Sequence, residues 1–318
     1  MHSKKRAKII NDPIYGFIEV DKGIINDLIN HKYFQRLRRI SQLGLSYLVY
    51  PGAQHTRFQH AIGSLHLMNK ALNQLENKGH KISKQEKEGV KIAILLHDIG
   101  HCPFSHALER TIVRDISHEQ LTLIYMHKLN EKFNGKLSLA IKIFENKYER
   151  KFLNQLVSSQ LDMDRLDYLK RDSFYSGATE GNINSNRIIE MMMVVDDQLA
   201  FEEKSLYSIE KFLMARRLMY WQVYLHKTSL SAEFLLTRVL ERVRFCYQNG
   251  KELQTSESLH FFLSQDDMNR SLNNEQLNKF LQLDDSDIIQ GLKSWQKDDD
   301  KVLSKISSML INRNLLKI

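Results

Sequence analysis

Histidine followed directly by aspartate, His97-Asp98 in LLHDIGHCPFSH, puts an imidazole and a carboxylate where a helical pattern gives way to a turn set by Gly100 and Pro103. Adjacent nitrogen and oxygen donors at a helix end suit a single divalent cation. Such an ion takes about four to six ligands, so other stretches must supply the rest. His60 in TRFQHAIG and Asp164 in LDMDRLDYLKRDS are the candidates, each beside a pattern that reads as helix. Two imidazoles with two carboxylates suit manganese, iron, zinc or nickel better than calcium, and they leave positions open, as catalytic rather than structural sites do. A capped helix end would by itself account for the His-Asp pair. The further crowding of His101, His106 and His118-Glu119 into the next stretch is denser than ordinary packing requires and points to chemistry.

The elements that must carry these groups read as helices. Prolines occur only at 13, 51 and 103, so the chain from 104 onward lacks the principal helix breaker. After His60, the positions Ile62, Leu65, Met68, Leu72 and Leu75 keep a three-or-four spacing that lays one apolar stripe on a core, with Gly79 closing the helix. Residues 88–96 read as a buried helix that delivers His97 and Asp98 at its end. From Asp164, the residues Asp167, Tyr168, Arg171 and Asp172 follow at i+3, i+4, i+7 and i+8 and share one helix face, which serves equally as a water-facing stripe or as the wall of a site. Asn11-Asp12-Pro13 is a turn signal, and Ile14, Phe17, Ile18 and Val20 predict a short hairpin, the one strand region expected. Lys251–Ser258 reads as a linker into a tail made helical by Leu303, Ile306, Met309 and Leu310. The expected division is a core over residues 1–250 and a helical C-terminal region over 251–318.

Composition sets bounds. A chain of 318 residues can bury a substantial core. No apolar run reaches membrane-spanning length and the basic start, MHSKKRAKIINDP, is not followed by a signal-peptide core, so a cytoplasmic protein with no membrane partner is expected. Two separated cysteines, Cys102 and Cys246, indicate neither a disulfide framework nor a cysteine metal site. The net charge of +8 favours polyanions such as nucleotides; it allows nucleic acid without requiring it.

In order along the chain, NDPIYGFIEV, FQRLRRISQLG, YPGAQHTRFQH, HDIGHCPFSH, SHEQ, DMDRLDYLKRD and ARRLMYWQVYLHK resemble the HD-domain, dGTPase-like deoxynucleoside triphosphate triphosphohydrolases. The resemblance implies a mostly α HD-domain fold with a short N-terminal β-hairpin and a helical C-terminal lobe. It also implies one divalent metal per subunit (manganese, iron, zinc or magnesium) and cleavage of a deoxynucleoside triphosphate to deoxynucleoside and intact triphosphate. Carried over by position, His60, His97, Asp98 and Asp164 hold the metal. Arg57, Arg165, Tyr168 and Arg216 contact the phosphates, Gln42 the sugar or base, and Asp172 accepts from the sugar 3′-hydroxyl, while Tyr224 closes under the sugar and excludes a 2′-hydroxyl. Arginine suits phosphate because its planar donors hold two oxygens at once. Arg165 stands where the family commonly has lysine, Cys102 where glycine is usual, and Glu109 where aspartate is more frequent.

The reaction implied is in-line attack of water on the α-phosphate, with metal polarising the phosphate and acidifying the water. The departing 5′-oxygen wants a proton, which the resemblance assigns to His106 with Glu109 as its orienting partner, while His101, His118 and Glu119 place phosphates and water. Asn30, Arg36, Arg38, His226 and Lys227 resemble parts of activator-nucleotide sites between subunits, which implies a homo-oligomer, a tetramer ahead of other sizes. Asn30 stands where guanine-reading members carry an acid, which disfavours guanine and leaves adenine as an activator base. Two alternatives share the metal set: another HD-domain nucleotide phosphohydrolase, a nucleotidase or phosphodiesterase, and a nucleic-acid-binding regulatory protein.

Overall fold

The computed structural model describes residues 8–113, 116–265 and 272–317, without the side chains of His106, Ala107, Glu109 and Arg110. The architecture is mostly helical, with two small antiparallel hairpins. In the first hairpin, β1 (Lys8–Asp12) pairs with β2 (Gly16–Val20). Its turn forms because the Asp12 carboxylate accepts the Ile14 and Tyr15 N–H groups, as the Asn-Asp-Pro signal predicts. The second, β3 (Met192–Val195) with β4 (Gln198–Phe201), corrects the expectation of a single strand region. Its turn residues Asp196 and Asp197 both lie at positive φ, the geometry a two-residue hairpin demands, but an Asp-Asp pair lacks the glycine that usually signals it.

Helix boundaries follow local chemistry. The His60 helix, Arg57–Asn77, starts at a Thr56–Gln59 capping box, and Gly79 at φ 88° turns the chain away after it. A Ser83–Glu86 box starts the next helix, Lys84–Leu96, which ends at His97. A third box, Ser117–Gln120, starts His118–Lys132, so His118 and Glu119 sit in that helix's first turn. Asp162 caps Met163–Ser176, the Asp164 helix, and Gly177 at φ 75° closes it. The stripe Ile62, Leu65, Met68, Leu72 and Leu75 is buried as its spacing predicts. One apolar cluster runs from Ile18 to Leu310, so the C-terminal helices Asp285–Trp295 and Lys301–Ile311 share the core of the rest. No described helix is long and apolar enough to cross a membrane.

Candidate active site

Three helix ends deliver three donors to one point. His60 Nε2 stands 3.2 Å from His97 Nε2 and 3.0 Å from Asp164 Oδ1, and His97 Nε2 is 3.5 Å from the same oxygen. The far side of each ring is fixed: His60 Nδ1 meets Asp167 Oδ2 at 2.8 Å, and His97 Nδ1 meets the Ile94 carbonyl at 2.6 Å. With those acceptors taking the Nδ1 protons, both Nε2 atoms present lone pairs to each other across a gap that a positive charge must fill. Burial alone would depress the His60 pKa, but the hydrogen bonds that the ring donates to Asp164 and Asp167 outweigh it and hold the ring up at about 10 when a proton fills that gap. The donor set therefore fits a divalent cation, with His60, His97 and Asp164 converging among the described residues. Asp98 lies beside them, with Oδ1 3.4 Å from His97 Nε2, but its other oxygen is turned to Arg57 at 2.5 Å.

Behind His60 runs a buried chain of charge. Arg171 grips Asp167 with two donors, Nε at 2.9 Å and Nη2 at 3.0 Å, and reaches Asp12 of the hairpin with Nη1 at 2.8 Å. Gly63 on the His60 helix leaves the space this pair fills.

Downstream of the His-Asp pair, Arg57 Nε donates to Ser105 Oγ at 2.9 Å, and Ser105 Oγ donates to the Ser41 carbonyl at 2.8 Å. Phe104 and Ser105 lie at φ 51° and 58°, a left-handed backbone costing about 1–3 kcal/mol each unless its surroundings hold it. His101 Nε2 meets Asp98 Oδ1 at 3.2 Å, and its ring stacks on His118 at 4.1 Å. Burial and the nearby Arg57 push the His101 pKa well below the ordinary histidine value, Asp98 opposing. Gly100 lets the loop pack against the His118 helix, because a Cβ there would lie 2.3 Å from the His118 carbonyl oxygen. The side chains of His106 and Glu109 lie outside those described.

His60, His97, Asp98 and Asp164, with Arg57, His101, Phe104, Ser105 and His118, open onto a cavity of about 740 Å³. Among the sequence candidates, Gln42, Arg57, Arg165, Tyr168, Asp172, Arg216 and Tyr224 line it together with the metal donors and with His101, His118 and Glu119. Asp172 is held from two sides, by His55 Nε2 at 2.7 Å and Tyr224 Oη at 2.8 Å. Arg165 pairs with Asp162, and Arg216 donates to Gln160 at 2.9 Å. The Gln42 side-chain oxygen is buried without a partner in the described structure.

Sequence reading left His55, Ser105 and Glu233 unassigned. His55 sits inside the quoted YPGAQHTRFQH, whereas Glu233 carries no local signal at all. Burial raises the Glu233 carboxyl to about 7 from an ordinary 4.5. A carboxyl raised in the folded state costs nothing below its unfolded pKa and destabilises progressively as pH rises through the folded value. Glu233→Gln is therefore expected to leave thermal stability unchanged near pH 4 and to raise it at pH 8, by on the order of 3 kcal/mol. An equal melting difference at both pH values would show that burial of charge is not the cause.

The candidates for an activator site lie elsewhere. Asn30 is exposed at the end of helix Ile24–Asn30 and accepts from Lys8 at 2.8 Å. Arg38 is exposed with its guanidinium 3.6 Å over the Phe58 ring, His226 caps helix Lys227–Gln248, and Lys227 is exposed. Arg36 is wholly buried and donates to the Leu283 and His101 carbonyls at 2.7 and 2.8 Å, so in this conformation it is an internal tie.

Comparison with known proteins agrees with this geometry. Residues 57–172 match the HD domain and residues 183–267 an HD associated region. A solved structure described as a phosphohydrolase, from Bacteroides thetaiotaomicron, superposes with a TM-score of 0.96 at 56% identity, over 98% of this chain and 78% of that one. The uncharacterised protein YwfO of Bacillus subtilis is 33% identical over 97% of this chain and 71% of its own length. A deoxynucleoside triphosphate triphosphohydrolase SAMHD1 homolog of Dictyostelium discoideum is 30% identical over 99% of this chain and 60% of its own.

Proposed function

The chain belongs to the HD-domain phosphohydrolases, and we propose that its substrate is a deoxynucleoside triphosphate, cut to deoxynucleoside and inorganic triphosphate. The observation that carries this reading is one cavity lined by two chemically different sets of side chains. Arg57, Arg165 and Arg216 share the lining with the metal donors, and Gln42, Asp172 and Tyr224 add polar groups suited to a sugar. A divalent ion held by His60, His97 and Asp164, with Asp98 beside them, would supply Lewis acidity toward the α-phosphate and the attacking water. The chain's own groups then do the rest. Arg57, fixed by Asp98 and Ser105, is aimed to hold phosphate oxygens in a set geometry. His101, kept neutral by burial, and its stacking partner His118 are suited to orient water and phosphate, with Glu119 beside them. The proton for the leaving 5′-oxygen is assigned to His106, oriented by Glu109.

Toward the sugar, Asp172 keeps lone pairs for a 3′-hydroxyl although His55 and Tyr224 already donate to it. The Tyr224 ring, pinned by that bond, is placed to occupy the space a 2′-hydroxyl needs. A homo-oligomer with nucleotide activation through Asn30, Arg38, His226 and Lys227 belongs to the same reading. If turnover of each deoxynucleotide is unchanged by adding any other, that part falls.

Incubating the protein with all four deoxynucleoside triphosphates and manganese, followed by chromatography, is expected to release triphosphate and deoxynucleosides. Orthophosphate as the first product, or an opened cyclic ester from a cyclic nucleotide, would instead favour a nucleotidase or a phosphodiesterase. Tyr224→Ala is expected to relax discrimination against ribonucleotides by about tenfold, the scale of one lost pocket contact. Unaltered discrimination removes Tyr224 from the gate.

A further inference from the structure

We infer that the corner Leu283–Asp285, which lies beyond both matched family regions, is a positioning element for the cavity, setting Arg57's partner Ser105 against Gln42, with Asp285 as its key residue. The inference takes the proposed phosphate pocket as its premise. One carboxylate joins two distant segments: Asp285 Oδ1 accepts the Phe104 N–H at 2.7 Å, and Oδ2 accepts the Ser41 N–H at 2.8 Å. Ser41 precedes Gln42 and Phe104 precedes Ser105, so both captured amides adjoin residues that line the cavity. The Ser41 segment is bridged to Thr56 by backbone bonds on either side, Gln42 N–H to the His55 carbonyl and Arg57 N–H to the Ile40 carbonyl, whereas the left-handed Phe104 and Ser105 need ties from outside the loop to persist.

The neighbours of Asp285 act on the same two segments. Asp284, the N-cap of helix Asp285–Trp295, forms an ion pair with Arg39. The Leu283 carbonyl accepts from Arg36 Nε, and Arg36 Nη1 donates to the His101 carbonyl. The His101–Ser105 loop is thus fastened near both ends, at His101 and at Phe104, from a corner more than 170 residues away in sequence. Apolar packing would suffice to dock a helix. A carboxylate placing one oxygen on each of two amide N–H groups instead sets the separation of the segments that carry Arg57's partner Ser105 and Gln42.

Asp285→Asn tests this in the full chain, with Asp300→Asn as the comparison, since Asp300 caps the last helix and pairs with Arg242 away from the loop. Asparagine keeps one acceptor but turns an amide donor toward one of the two N–H groups. Deoxynucleotide kcat is expected to fall about ten- to hundredfold, with KM changing less than about threefold, as for a small misplacement of reacting groups. Amide hydrogen exchange across residues 101–105 is expected to speed up in the same variant, and Asp285→Glu to recover part of both effects. Asp300→Asn is expected to lower the melting temperature without altering either. Unchanged turnover and unchanged loop exchange in Asp285→Asn would overturn the inference, as would the same changes appearing in Asp300→Asn. If wild type cleaves no deoxynucleotide, the substrate reading fails, and the exchange comparison still decides whether Asp285 positions the loop.

Discussion

Asp164→Ala is expected to abolish bound metal and to lower kcat at least about a thousandfold while leaving the fold intact, the scale set by removing a group that acts only in the transition state. The size of the effect follows from the geometry. Asp164 Oδ1 lies within reach of both facing imidazole nitrogens, 3.0 Å from His60 and 3.5 Å from His97, whereas Asp98 approaches them with different oxygens, Oδ1 at 3.4 Å from His97 and Oδ2 at 3.8 Å from His60. Asp98 cannot substitute for it, because Arg57 and His101 already engage that carboxylate. The fold is expected to survive because the Asp164 side chain is a quarter exposed at a helix first turn, and the helix cap belongs to Asp162. Elemental analysis and steady-state kinetics check both halves. A variant that retains one ion per chain and turns over within tenfold of wild type would remove Asp164 from the ligand set.

Short-range chemistry made much of this site readable. His60, His97 and Asp164 are each tied to a helix end whose cap or turn is written in adjacent residues, Thr56, Gly100 and Asp162, so motif and position agree. The Asp164 helix was readable only to a point. Residues at i, i+3, i+4, i+7 and i+8 share a face, but that face is wide. Asp164, Tyr168 and Asp172 turn to the cavity, while Asp167 and Arg171 turn inward to His60 and Asp12. Periodicity gives no means to divide them, because the division depends on where the hairpin and the His60 helix pack. Glu233, Asp285 and the burial of Arg36 were illegible for the same reason: each depends on contacts with segments remote in sequence.

Gly63→Ala, one added methyl group, is expected to destabilise the protein by about 3–5 kcal/mol, the range for breaking a buried ion pair, and to weaken metal binding about ten- to hundredfold. A Cβ on Gly63 would lie 2.0 Å from Asp167 Oδ1 and 2.3 Å from Arg171 Nη2. Neither atom can yield cheaply. Arg171 is fully buried and held on its other side by Asp12, and Asp167 is fully buried between Arg171 and His60. Moving either one leaves a charge without its partner away from water, and the shift passes to the His60 ring, whose Nδ1 loses the acceptor that fixes its orientation. Ala61 beside it on the same helix is already buried, so residue size there is not limiting in general; the clash is specific to the face that receives Asp167. Arg171→Ala in the Gly63 background should destabilise comparably, and combining the two changes should cost much less than their sum, because both remove the same network. Thermal unfolding of the single and double variants decides the matter: strict additivity would mean that Gly63 and Arg171 act independently and that the packed ion chain is not what orients His60.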